Sequence, residues 1–321
     1  MEIITSPTYD DIKRSAIALK EGHLVAFPTE TVYGLGADAT NKKAVSRIYS
    51  VKGRPSDHPL IVHISSIEQV EKWAIEIPDY AMKLASDFWP GPMTLILKKS
   101  NLAKDFITGG QDNVGLRIPA QEIALSLLKE FENLGGSGIS APSANKFGAV
   151  SPTYAQAVIE EIGQDMSNQD ILIDGGFCQI GIESTIIDCT SEIPAILRPG
   201  SISKDQIDST GGLETRNTFG KVRIKSPGML DAHYSPQAEV KLEGPVTIGD
   251  AFLALANIPT PEGAVRLGSP NTTEEFAKIM YKTLRLCDRL KIRRIIVIEP
   301  IGDGLAQAIR DRLYKASKVR S

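Results

Sequence analysis

Apolar positions fall at helical spacing from Asp10 to Lys20, where Ile12, Ala16 and Leu19 share one face and Gly22 follows as a stop. The pattern then closes into HLVAF, dense enough for a buried strand. The two periods alternate from there on. Asn41 to Val51 predicts a short helix with Ala44, Val45, Ile48 and Tyr49 inward, and PLIVHI, MTLILKK and VGLRIP predict strands. Ile123 to Asn133 and Tyr154 to Ile162 read as helices; ILIDGG, STIIDC and AILRPG read as strands, the last closing a first domain near Ser203. Ahead of the Tyr154 helix, SGISAPSANKFGAVSPT carries too much Ser, Pro, Gly and Asn for regular structure and predicts a long polar loop.

Residues 204–238, which include GGLETRNTFG and SPGMLDAHYSP, show no clear period and predict a linker, long enough to have a role of its own. From Val240 the pattern restarts with VTIG as a strand, a helix from Thr273 to Leu290, the strand RRIIVIEP and a helix from Leu305 to Ser317. The predicted class is α/β: a larger domain over 1–203, a linker over 204–238, and a small parallel, Rossmann-like α/β domain over 239–321.

Charge sharpens this division. The 321 residues carry 36 Lys and Arg against 39 Asp and Glu, a net charge of −3, which argues against a surface built to hold nucleic acid. From Val240 onward there are 14 basic and 9 acidic residues, net +5, leaving the preceding residues at net −8. Cys178, Cys189 and Cys287 form no CxxC pair, so neither a disulfide framework nor a zinc site is indicated. The N-terminus has no apolar core of a signal peptide and no stretch approaches a membrane span, so a cytoplasmic location is expected.

Within that acidic first domain, Lys52 and Arg54 end a helix, Arg117 ends VGLRIP and Arg198 ends AILRPG. Each alone reads as a surface cation or a complement to a helix dipole; four at element ends point to a polyanionic ligand. The SAPSAN loop would add donors through Ser140, Ser143, Asn145, Ser151 and its backbone N–H groups, although a plain capping loop has the same composition. GLGADA mimics a dinucleotide fingerprint, but Pro28 and Thr29 intervene after the strand and no acid ends the next one; a tight turn is the simpler reading. Walker A and GxSxG motifs are absent. His58 and His63 would lie on opposite faces of an unbroken strand, which argues against a shared metal, and the plain reading of His63 is a structural hydrogen-bonding residue. RLKIRR reads as a solvated helix end, with an RNA contact as the alternative.

PTETVYGLGADA, KGRP with HPLIVHI, WPGPMTLIL, VGLRIPA, SAPSAN with SPT, GIESTIID and ILRPGSI occur in an order and spacing that resemble the L-threonylcarbamoyladenylate synthases, with their YrdC-like fold. The likeness spans about residues 10–203, and SPGMLDAHYSP before a small α/β domain is similar to the two-domain form. The resemblance implies that ATP, L-threonine and bicarbonate or CO2 give threonylcarbamoyl-AMP and pyrophosphate, for threonylcarbamoyladenosine in tRNA. It implies a threonine pocket of Thr31, His63, Arg117, the backbone at Ala141, and Ser184. Arg54, His58, Asn113, Ser143, Ser151, Arg198 and Tyr234 resemble the ATP contacts, and Lys52 with Arg54 would serve the transferring phosphates. His58 stands where Asn is frequent in the family, and Asn113 where Ser or Thr is. Mg2+ is expected with ATP, its ligands being illegible in the sequence.

The downstream partner implied is a tRNA threonylcarbamoyl transferase, without tight tRNA binding by this chain. A carbamoyl transferase of the hydrogenase-maturation type and a double-stranded RNA binding module are the alternatives; the first would carry zinc-finger cysteines. Because a threonylcarbamoyl adenylate is a mixed anhydride that water destroys, residues 226–236, around His233 and Tyr234, are expected to fold back over the cleft, with Tyr234 near the nucleotide.

Overall fold

The computed structural model describes residues 1–212, 214–217 and 234–318. Among these, eleven strands form one mixed sheet in the spatial order Glu2–Thr5, Ile171–Asp174, Val25–Phe27, Gly34–Asp38, Ile139–Ser140, Ile61–His63, Asn113–Arg117, Met93–Lys98, Thr185–Asp188, Ala195–Arg198 and Arg216–Asn217. Side chains alternate between the faces of this sheet. Leu35, Ala37, Val62, Leu95, Leu97 and Leu116 enter a core shared with Val45 and Ile48 of the helix Lys42–Lys52 and Leu84 of the helix Asp79–Phe88. The other face is covered only in part. There Val25, Phe27 and Ile139 meet Leu19 of the helix Tyr9–Lys20 and Leu127 and Phe131 of the helix Glu122–Asn133. Beyond that cover, Ile61, Ile96, Ile186 and Leu197 form a small apolar floor, and His63 and Arg117 are neighbours in the parallel register above it.

GLGAD is a strand, antiparallel to Val25–Phe27, and not a tight turn. Its glycines answer to space. A Cβ at Gly36 would meet the Phe27 ring at 2.8 Å, the Ile139 side chain at 2.9 Å and the Val25 carbonyl at 3.0 Å. The chain reversal lies just before, in PTETV.

The segment read as a linker is structured at its start. Ser203 and Gln206 form a capping box on the helix Lys204–Gly211, and Arg216–Asn217 pairs in parallel with Ala195–Ile196, extending the large sheet. VTIG is not a strand. Gly249 adopts φ +89° and Ile248 is 93% exposed, so the burial falls on the flanking strands Glu239–Lys241 and Ala251–Leu253. With Arg294–Val297 and Val265–Gly268 these make a four-stranded parallel sheet, flanked by the helices Thr273–Arg289 and Leu305–Ala316.

The small domain is not a separate bead. Phe276, Met280 and Tyr281 share one apolar cluster with Val32, Val150, Ile182 and Tyr234. The loops that carry Val32, Val150 and Ile182 therefore lie against the second domain.

Candidate active site

A cleft opens at that junction, lined by residues of the first domain and by Tyr234. Its first wall is the PTET turn. The single hydroxyl proton of Thr29 goes to the Val32 carbonyl at 2.6 Å, while Thr29 Oγ1 accepts from the amides of Thr31 and Val32, each at 3.2 Å. Thr31 must then donate to Thr29, at 2.8 Å. Its oxygen in turn accepts from Arg117 Nη1 at 3.0 Å. The same guanidinium binds Glu30 Oε1 through Nη2 at 2.7 Å and the Gly91 carbonyl through Nε at 3.2 Å. Strand end and turn are thus locked together. Beside Arg117, burial and then the arginine's charge push the His63 imidazole down to about 3, so the ring is neutral at pH 7.

A second wall joins a helix end to the SAPSAN loop. Gly53 adopts the left-handed conformation that ends the helix Lys42–Lys52, which turns Arg54 inward. Lys52 Nζ donates to the carbonyls of Ser143 at 2.6 Å and Asn145 at 2.5 Å. Burial, reinforced by the Arg54 charge, holds the Lys52 pKa well below the usual lysine value. Arg54 stacks over Phe147, 5.4 Å from the ring centroid, and donates from Nη2 to the Pro59 carbonyl at 3.0 Å; burial lowers its pKa to about 10. Asn145 ties the loop to itself by donating to the Lys146 and Ala149 carbonyls, each at 2.8 Å.

The third wall is the pair of strands Thr185–Asp188 and Ala195–Arg198. Arg198 folds back on Ser184, donating from Nε to its carbonyl and from Nη2 to its Oγ, both at 3.0 Å. Ser184 Oγ also bonds Thr94 Oγ1 at 2.8 Å. Tyr234 closes the cleft from the domain junction. Its backbone lies at φ +61°, rare for a bulky residue, and its ring stacks on Tyr281 with centroids 5.9 Å apart. Next to it, the Ser235 amide donates to the Gly148 carbonyl at 3.1 Å, which brings this end of the linker back onto the first domain. Residues 226–233, expected to do the same, lie outside the described residues.

Of the residues singled out from sequence, Lys52, Arg54, Thr31, His63, Arg117, Ala141, Ser184, Ser143, Asn145, Arg198 and Tyr234 line this one cleft. Four do not. Ser140 is buried in its strand, between Gly34–Asp38 and Ile61–His63. Asn113 begins the strand whose far end is Arg117, roughly 13 Å away at strand rise, and lines a separate small pocket with Pro59 and Val114. His58 meets Phe147 of the cleft wall edge to face at 5.2 Å. Ser151 lies behind the wall, donating to Glu183 at 2.6 Å. Sequence reasoning passed over Thr29, Glu30, Phe147 and Glu183. Glu30 and Glu183 stand inside quoted motifs, PTET and GIEST, and the signal was an acid set beside a small hydroxyl residue.

Two family models match the chain: one described as telomere recombination over residues 17–200, and one described as threonylcarbamoyl-AMP synthase, C-terminal domain, over residues 202–318. The threonylcarbamoyl-AMP synthase of Pyrococcus abyssi is 43% identical over 329 residues, covering 96% of this chain and 94% of that protein. The synthase of Bacillus subtilis is 37% identical over 330 residues, covering 96% and 93%. Among solved structures, Pyrococcus abyssi Sua5 complexed with L-threonine superposes with a TM-score of 0.88 at 41% identity, covering 98% of this chain and 97% of that one.

Proposed function

The chain belongs to the threonylcarbamoyl-AMP synthase family in its two-domain form, and from that premise we propose that the cleft joins ATP, L-threonine and bicarbonate or CO2, as a nucleotidyltransferase. The observation that supports this most is the convergence of four buried cations, Lys52, Arg54, Arg117 and Arg198, on one cleft. Arg117 is paired with Glu30 and Arg198 faces Glu183, whereas Lys52 and Arg54 donate to backbone carbonyls, and a bound anion would compensate those two buried charges.

The threonine amine adds to CO2 and loses a proton, which gives a carbamate. A carbamate oxygen then attacks the α-phosphorus of ATP, the α–β bridging P–O bond breaks, and pyrophosphate leaves. The carbamate is already an anion, so charge repulsion is the larger obstacle at that step. Preorganised cations and N–H donors around the transferring phosphorus reduce it. Lys52, Arg54 and the SAPSAN backbone are assigned to the phosphates. Thr31, neutral His63, Arg117, the backbone at Ala141, and Ser184 are assigned to threonine, with Arg198 and Tyr234 toward the nucleotide. His58, Asn113 and Ser151, which do not line the cleft, stay as proposed nucleotide contacts on the strength of the resemblance.

Among the described residues no three His, Cys, Asp or Glu side chains converge as a metal cage, and Glu30 and Glu183 each face an arginine. The residues present do not fit a protein-held Mg2+. We expect the ion to arrive as the companion of the triphosphate, held by phosphate oxygens.

No helix among the described residues is long and apolar enough to cross a membrane, and a cytoplasmic location is proposed. The product would pass to a tRNA threonylcarbamoyl transferase, without tight tRNA binding by this chain. A concave cleft lined by buried cations suits small anionic substrates, whereas duplex RNA is read across ~16 bp of surface. The experiment is pyrophosphate release with each substrate omitted in turn. Release that requires threonine and bicarbonate together supports the reading; release from ATP alone contradicts it.

A further inference from the structure

Among the residues that line the cleft, Glu183 is the one acid, and its charge is met from the other domain. Arg312, on the helix Leu305–Ala316, donates from Nε to Glu183 Oε2 at 2.8 Å. It is wholly buried. Its Nη2 donates to the Pro199 carbonyl at 3.0 Å and its Nη1 to Asp311 at 2.6 Å. Glu183 precedes Ser184 and Pro199 follows Arg198. One guanidinium thus clasps the residues next to both members of the Ser184–Arg198 pair. It also lies 5.3 Å from the centroid of the Tyr234 ring.

The seat of this contact is tight. Gly181, two residues before Glu183, adopts φ +85°, and a Cβ there would meet the Ala277 carbonyl of the helix Thr273–Arg289 at 2.6 Å. Tyr281 of that helix donates to the Glu183 carboxylate at 3.0 Å, and Ser151 reaches its other oxygen at 2.6 Å.

We propose that Arg312 is a positioning residue for the cleft: through this guanidinium the C-terminal domain fixes Ser184 and Arg198 and neutralises Glu183. The inference rests on the reading above that the cleft takes ATP and threonine. The groups facing Glu183 are Arg312, Arg198, Tyr281, Tyr234 and the Ser151 hydroxyl, with Asp311 and its partner Lys315 behind Arg312. Burial opposes ionisation of Glu183, but the Arg312 charge, followed by that of Arg198, holds its carboxyl at about 2. Without Arg312, the buried carboxylate has Arg198 as its remaining cation and draws it away from the ligand. As its pKa then rises, protonation at lower pH releases Arg198 again.

The test uses the full chain and measures pyrophosphate release while ATP, threonine and pH are varied. Arg312→Met is expected to lower kcat/KM on the order of 10- to 100-fold, with the ratio to the parent recovering as pH falls. Adding Glu183→Gln to Arg312→Met should restore part of the loss, because the orphaned charge is gone. Arg312→Lys, which keeps the charge but not the fork to Pro199, should lie between, without the recovery at lower pH; if Arg312→Met does not fold, Arg312→Gln, polar but uncharged, carries the pH test. Arg285→Met is the comparison for domain docking, since Arg285 joins the domains through Glu161 at 2.9 Å and the Val150 carbonyl and not through Glu183. An active parent with Arg312→Met within two-fold of it overturns the inference and leaves the functional reading standing. The same pH-dependent loss in Arg285→Met also overturns it, because docking would then be the cause. A parent without threonine-dependent release overturns the functional reading and this inference with it.

Discussion

Arg117 donates to Thr31 Oγ1 at 3.0 Å, so a strand end and a turn 86 residues earlier in the chain share one buried hydrogen bond. Because Thr29 consumes its own proton within the turn, Thr31 has its donor directed at Thr29 and its oxygen directed at Arg117. Thr31→Val keeps the shape and deletes both roles. It should cost on the order of 1–3 kcal/mol in kcat/KM and raise the threonine KM more than the ATP KM. Equal weakening toward both substrates would count against Thr31 as part of a threonine pocket.

Arg54 belongs to the phosphate side of the account. Arg54→Ala removes a cation stacked on Phe147 and is expected to lose on the order of 2–4 kcal/mol of transition-state stabilisation. Far-ultraviolet circular dichroism should show the fold retained. Turnover equal to the parent's would remove Arg54 from the assignment.

Lys52 gives a prediction about protons. With burial and Arg54 both lowering its pKa, a triphosphate placed beside it raises that pKa toward the ordinary value. Nucleotide binding should therefore take up protons over the pH range in which Lys52 of the free protein loses its charge. Calorimetry of a non-hydrolysable ATP analogue in buffers of different ionisation enthalpy reads this directly, and Lys52→Met should abolish the uptake. Binding without net proton transfer in the parent is the contrary result.

His63 makes stability depend on acid. The unfolded imidazole takes a proton near 6.5 and the folded one not until about 3, so the unfolded state binds more protons between those values. The stabilisation is fully present above 6.5 and is lost as pH falls toward about 3, with a slope of up to ~1.4 kcal/mol per pH unit. His63→Gln should flatten that part of the curve in denaturant titrations across the window. A variant with the parent's slope would mean that other groups set it.

How far all this was legible in the sequence depended on the kind of signal. Helices with a full apolar face, such as Tyr9–Lys20 and Thr273–Arg289, and strands buried on both faces, such as Met93–Lys98, carry their period openly. GLGAD did not read as a strand, because its glycines there answer to Phe27 and Ile139 across space and not to a local turn. Lys204–Gly211 was missed because Ile207 is its only apolar side chain in the core, leaving the capping box as the one local sign. Most of the residues assigned to the site were legible through motif resemblance, and element ends alone had pointed to Lys52, Arg54, Arg117 and Arg198. Glu183 was not, since its meaning lies in an arginine 129 residues later on another domain. Asn113 was legible through resemblance alone, since the strand places it at the far end from Arg117.

The central claim is that one cleft joins carbon dioxide, threonine and an adenylyl group, and a carbon label tests it most directly. The full chain is incubated with ATP, L-threonine and 13C-bicarbonate, quenched within seconds, and separated by mass. The account predicts a threonylcarbamoyl-AMP species one mass unit heavier than that made from unlabelled bicarbonate, formed in step with pyrophosphate and absent without threonine. Pyrophosphate or AMP accumulating with no labelled adenylate, even when the quench precedes hydrolysis of the product, would contradict it.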